Sequence, residues 1–153
     1  VRAALDRLGE FGLPVRVTEF DLNTDDEGQK ARFLREFYTT CFGHPAVTGI
    51  LMWGFWEGRH WRPQAALWKK DWTPTPAAEA YRDLVYDRWW TRWQGQADAD
   101  GRCRAAAFFG RHRVTVEGAE KEVELSKADG TVTLDARSAD PAEWTIRPGD
   151  EDS

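Results

Sequence analysis

Ala4, Leu5 and Leu8 recur at helical spacing, and Gly12 followed by Pro14 supplies a stop, so the chain is expected to open on a helix. The period then changes to two. From Val15 to Asp21 the residues Val15, Val17, Glu19 and Asp21 alternate with Arg16, Thr18 and Phe20, which predicts a strand with both carboxylates on the face of the two valines. Asp25 or Asp26 can cap a second helix whose stripe is Ala31, Leu34, Phe37, Tyr38, Cys41 and Phe42, ended by Gly43 and Pro45. Ala46 to Trp53 reads as a buried-type strand with Gly49, Leu51 and Trp53 on one face. Further on, Thr75 suits an N-cap with Pro76 at the first helical position, predicting a helix from Ala77 to about Trp90.

Helix, strand, helix and strand in this order is the grammar of an α/β fold with parallel strands. Two strand–helix units cannot close a barrel of eight, so residues 1–92 read as the C-terminal quarter of a TIM (β/α)8 barrel, with the Glu19 face turned to its interior. After Trp93 the pattern changes. The short runs CRAAAFF, HRVTVE, EVELS and TVTLDA, broken at Gly110, Gly118 and Asp129-Gly130, predict a small antiparallel β unit over residues 93–148. Residues 149–153 are expected to be an acidic tail.

A formal charge of -5 leaves no basic stripe for nucleic acid, and no apolar run approaches the roughly 20 residues of a membrane span. Cys41 and Cys103 lie in segments of different character with no metal-ligand spacing, and both read as free thiols. The first residue is Val within a helical pattern, so the start reads as a cut, which would remove any export signal and leaves the compartment open.

Composition matters most for tryptophan, of which there are nine. Three of them fall in Leu51 to Pro63, LMWGFWEGRHWRP, beside Glu57, His60 and Arg62. Indole faces suit the C–H side of pyranose rings, and such polar neighbours suit hydroxyls, so Trp53 and Trp61 are candidate sugar platforms with Glu57, His60 and Arg62 as hydroxyl ligands. Packing in a core or interface is the alternative for any of these aromatics, and it is the expectation for Trp56, Trp68 and Trp72. A carboxylate at the end of a barrel strand, among aromatics that exclude water, suits attack at an anomeric carbon. Glu19 fits that role, and Asp21, about 6 to 7 Å further along the strand, is better placed to orient neighbours.

LPVRVTEFD, GILMWGFWEGRHWRP and LWKKDWTPTPAAEAY, in that order, resemble the last two strands and closing helix of glycoside hydrolase family 10, retaining endo-β-1,4-xylanases on a (β/α)8 barrel. The resemblance covers residues 1 to about 90. It implies that Glu19 is the catalytic nucleophile and that Asp21 is a supporting acid, which in the family helps hold a histidine against the nucleophile. Trp53 and Trp61 then wall the glycone side, Arg62 follows as in many members, and Glu57 stands where Asp is usual. The substrate implied is xylan or a xylo-oligosaccharide, no metal or organic cofactor is required, and the parent would be secreted or periplasmic. The acid/base Glu of a WDVVNE-like motif has no counterpart in these residues, so this piece alone is expected to be inactive. The β unit resembles a small extension found in some members, with a structural task expected. A noncatalytic carbohydrate-binding protein using the Trp53 and Trp61 surface is the rival reading.

Overall fold

A computed structural model describes residues 1–126, 128 and 130–148, and the chain divides into two compact units with the boundary after Arg88. The first contains α1 (Arg2–Gly9), β1 (Val15–Phe20), α2 (Glu27–Phe42), β2 (Val47–Met52) and α3 (Pro76–Asp83). A single 3-10 turn, Pro63–Ala65, interrupts the long connection between β2 and α3. The helix expected to reach about Trp90 instead ends its α-helical part at Asp83 and widens into a π-helical turn over Leu84–Arg88. Caps explain the helix starts. Asp26 accepts from the Gln29 N–H at 2.8 Å, and the Thr75 hydroxyl accepts from the Ala78 N–H at 3.3 Å with Pro76 following.

β1 and β2 pair in parallel as a two-stranded sheet, and no closed barrel exists among the described residues. The register runs Val15↔Val47, Arg16↔Gly49, Val17↔Ile50 and Phe20↔Met52. Between the last two pairs β1 advances three residues while β2 advances two, so Thr18 and Glu19 sit in a bulge. This corrects the unbroken alternation expected from Val15 to Asp21. In this open two-stranded sheet Glu19 is exposed, and the packed residue of the strand is Phe20.

Phe20 enters an aromatic cluster on α2, with ring centroids 4.5 Å from Phe37, 5.4 Å from Tyr38 and 6.1 Å from Phe33. Burying one such ring contributes roughly 1.5–3 kcal/mol, which ties the end of β1 to the helix. Leu34, Tyr38 and Cys41 continue the buried face of α2, and Ala77, Ala78 and Ala80 of α3 are fully covered, their small side chains letting the two helices approach closely. Burial pushes the Tyr38 phenol well above its ordinary range, with the nearby Tyr81 and Cys41 adding in the same direction. An Arg35–Asp83 ion pair of 2.5 Å bridges the exposed seam of α2 and α3, and the hydrogen bond from Arg35 holds the Asp83 carboxyl below its usual range.

The second unit holds two antiparallel hairpins. β3 (Gly110–Val116) pairs with β4 (Ala119–Leu125), and β5 (Val132–Asp135) pairs with β6 (Thr145–Pro148). Glu117 and Gly118 form the two-residue turn of the first, both with positive φ, which is the backbone twist a tight hairpin needs. The run CRAAAFF, expected as a strand, carries no regular structure, since Arg102 to Phe108 find no ladder partner; β6 was not anticipated. Trp144 and Val123 are the buried apolar residues of this unit. Trp144 Nε1 donates to the Ser138 carbonyl at 2.7 Å, and Lys121 Nζ donates to the carbonyls of Pro141 and Trp144, linking the hairpins. Cys41 is buried and Cys103 exposed, and both are free thiols. The turn residue Asp129 and the tail 149–153 lie outside the described residues.

Candidate active site

The C-terminal end of β1 delivers Glu19, Phe20 and Asp21 to the start of the aromatic loop. The Phe20 carbonyl accepts from the Trp53 N–H at 3.1 Å, so the sheet ladder runs one residue beyond β2 and sets Trp53 beside the Glu19 strand. Glu19 is exposed, and among the described residues no hydrogen bond or ion pair reaches its carboxylate. A free carboxylate at a strand end is available to a ligand.

The loop from Trp53 to Thr75 is held by its own backbone. Leu67 and Trp68 N–H groups both donate to the Phe55 carbonyl, at 3.0 and 2.9 Å, and Glu57 N–H returns a bond of 2.8 Å to the Trp68 carbonyl. Thr75 N–H donates to the Leu67 carbonyl at 2.9 Å, fastening the loop to the cap of α3. Trp56 and Trp72 stack at 5.4 Å, Phe55 meets Trp68 edge-on at 6.1 Å, and Trp56 Nε1 donates to the Lys70 carbonyl. These are the packing tasks expected of Trp56, Trp68 and Trp72. Trp72 takes a left-handed conformation, φ 66°, to turn back toward Trp56.

Trp53 and Trp61 are 52% and 60% exposed, much like Trp72 at 58%, but unlike Trp72 neither stacks on another ring among the described residues. Trp61 Nε1 donates to Asp21 Oδ2 at 3.0 Å, and the Arg62 guanidinium lies 4.2 Å above the Trp61 ring. Thus Asp21, Trp61 and Arg62 are brought together. Glu57 is engaged in the scaffold, its Oε2 accepting from the Lys70 N–H at 2.8 Å.

His60 is placed differently from its exposed neighbours Trp61 and Arg62. It is only 8% exposed, its Nδ1 accepts from the Arg62 N–H at 3.1 Å, and its Nε2 is buried without a partner among the described residues. Its ring lies against Gly54, where a Cβ would stand 2.7 Å from Cδ2. In this structure the buried imidazole, wedged between a glycine and a backbone amide, braces the loop. His44 is likewise buried and bonds Asp6 through Nε2 at 3.1 Å.

Sequence reasoning missed Lys30. The residue is 2% exposed, its Nζ pairs with Glu27 at 3.0 Å, and it lies along the wall of a small polar cavity of ≈ 280 Å³ that Glu57, Gln64 and Trp68 also line. The i,i+3 spacing of Glu27 and Lys30 was the available signal, although it reads equally as a surface pair. Among the described residues no group of His, Cys, Asp and Glu is arranged to hold a metal ion, and no helix is long and apolar enough to cross a membrane.

Comparison with known proteins bears on the same segments. The sequence model of glycosyl hydrolase family 10 matches residues 1–84. Similar proteins include the anti-sigma-I factor RsgI6 of Acetivibrio thermocellus, 39% identical over 76% of this chain and 15% of its own length. Endo-1,4-beta-xylanase 1 of Arabidopsis thaliana is 34% identical over 76% of this chain and 12% of its own length. A crystal structure of xylanase 10B from Thermotoga maritima aligns with a TM-score of 0.47 at 25% identity, covering 57% of this chain and 31% of that one. The chain therefore spans a small part of the curated relatives it matches. A match over 76% of 153 residues reaches at least about residue 116, so the likeness to both relatives continues past residue 84 into the β3–β4 hairpin.

Proposed function

Since the chain belongs to glycosyl hydrolase family 10, we propose that it is the C-terminal β/α quarter of an endo-β-1,4-xylanase barrel, residues 1–92, followed by a β extension over residues 93–148. The observation that carries this reading is the free Glu19 carboxylate at a bulged strand end, next to a loop that leaves Trp53 and Trp61 open. Bulges re-aim side chains, and they recur beside active sites.

In the proposed reaction xylan lies over Trp53 and Trp61, with Arg62 at the rim. A Glu19 carboxylate oxygen attacks the anomeric carbon while the bond to the leaving oxygen breaks, and an acid protonates that oxygen. Water then attacks the glycosyl ester on the same carbon, gives up its proton to the conjugate base, and restores the Glu19 carboxylate. The second carboxyl group has to stand about 5 to 5.5 Å from the first. The strand-four motif that would carry it is absent from these 153 residues, so the chain by itself is not expected to hydrolyse xylan. Asp21 supports the site, and Glu57 and His60 brace its loop.

A xylobioside with fluorine at C2 and a dinitrophenolate leaving group tests the nucleophile, because so good a leaving group departs without acid assistance. The expected result is one covalent glycosyl adduct on Glu19, lost in Glu19→Gln. Labelling elsewhere, or no labelling of the wild-type chain, refutes Glu19 as nucleophile. A second reading, a noncatalytic sugar-binding unit, is favoured by one observation: a 39% identical relative is named as an anti-sigma-I factor and not as an enzyme. On that reading xylo-oligosaccharide affinity survives Glu19→Gln while no adduct forms on the wild type.

A further inference from the structure

We propose that Asp21 is a positioning residue for Trp61, forming a latch between the end of β1 and the aromatic loop that presents one indole face to one sugar ring. The inference deepens the proposed function and rests on its reading of Trp61 as a sugar platform. An exposed tryptophan normally samples several rotamers, and a stacking platform is effective only when its plane is held within a narrow range. Trp61 is 60% exposed, so packing does not hold it.

Two other constraints do. The edge is held by the Nε1–H bond to Asp21 Oδ2, 3.0 Å long, which spans 40 residues of sequence. The Arg62 guanidinium, 4.2 Å from the ring centroid, covers one face, and no carboxylate among the described residues draws it away. The Arg62 backbone is tied through its N–H to His60 Nδ1, and the His60 ring is wedged against Gly54, two residues beyond β2. The contacts therefore start and end just past the C-terminal ends of the two parallel strands. With one face covered and one edge tied, the opposite face is the stacking surface left to a pyranose. A charged acceptor makes the tie stronger than a neutral one would.

The indole N–H signals of the 15N-labelled chain test this, with Trp61 assigned by the signal lost in Trp61→Phe. Trp53 is the internal control, since it is similarly exposed and no hydrogen bond reaches its indole among the described residues. In the wild type the Trp61 indole proton is expected to exchange with solvent roughly tenfold more slowly than that of Trp53. Asp21→Ala should remove the difference, and Asp21→Asn, which keeps a carbonyl acceptor, should retain most of it. Equal rates for Trp53 and Trp61 in the wild type overturn the latch, and this needs no variant to fold. Titration with xylohexaose should shift the Trp61 signal, with affinity several-fold weaker in Asp21→Ala. Slow exchange with a Trp61 signal unmoved by xylohexaose overturns the platform reading and the positioning role with it.

Discussion

Gly54→Ala is a stringent test of how the aromatic loop is held, because the sign of its effect distinguishes contact from conformation. Gly54 does not occupy the left-handed region, so alanine meets no backbone strain there. On backbone grounds alone the replacement would stabilise the protein by about 0.4–1 kcal/mol through the unfolded chain. The structure argues the opposite. The new Cβ would stand 2.7 Å from His60 Cδ2, 3.2 Å from Nε2 and 3.4 Å from Cγ, a clash with one edge of a ring that is buried and anchored. The ring can yield only by giving up its bond to the Arg62 N–H. Overpacking costs about 1–3 kcal/mol and the lost hydrogen bond about 1 more, so a net destabilisation of about 2 kcal/mol follows after the entropic gain. Urea unfolding followed by far-ultraviolet circular dichroism measures it, as a lower midpoint at unchanged slope. His60→Ala in the same chain opens the space, so the double variant should lose less than the sum of the two single changes, with a coupling above about 0.5 kcal/mol. A Gly54→Ala chain as stable as the wild type, or more so, would refute the wedge between Gly54 and His60.

Two further outcomes follow from the same burial pattern. The Cys41 thiol is enclosed and raised above its ordinary range by that burial, whereas Cys103 is exposed, so a thiol reagent should modify one cysteine in the folded chain and two in denaturant; fast reaction of both in the native state would contradict the α2 packing. Burial raises the Tyr38 phenol and, with Tyr86 nearby, that of Tyr81. A raised folded value means a contribution to stability that is complete below the unfolded value of about 10 and is lost as pH rises toward the folded value. Ultraviolet titration should therefore show Tyr38 and Tyr81 ionising above free tyrosine, with stability falling above pH about 10, and ionisation of all three tyrosines as free phenols would refute it.

The sequence by itself determined the elements that depend on neighbours a few residues away. Thr75-Pro76 started α3, Asp26 started α2, and Glu117-Gly118 turned the β3–β4 hairpin, because caps and tight turns are closed by local hydrogen bonds and local φ values. Family membership was legible for a related reason, since two strand-end motifs and a closing helix follow one another in fixed order. Tertiary structure decided what depends on distant partners. The Thr18–Glu19 bulge exists only against β2, so no period in Val15 to Asp21 could reveal it. His60 and Arg62 stand two residues apart and look alike as ligands, but the glycine at position 54 draws His60 inward and leaves Arg62 on the face of Trp61. Asp21 and Trp61 are 40 residues apart, and their bond follows from the parallel pairing that brings the two strand ends together. A pattern along one chain encodes which residues can be buried or charged; which of them meet is settled by the register of strands and the packing of rings.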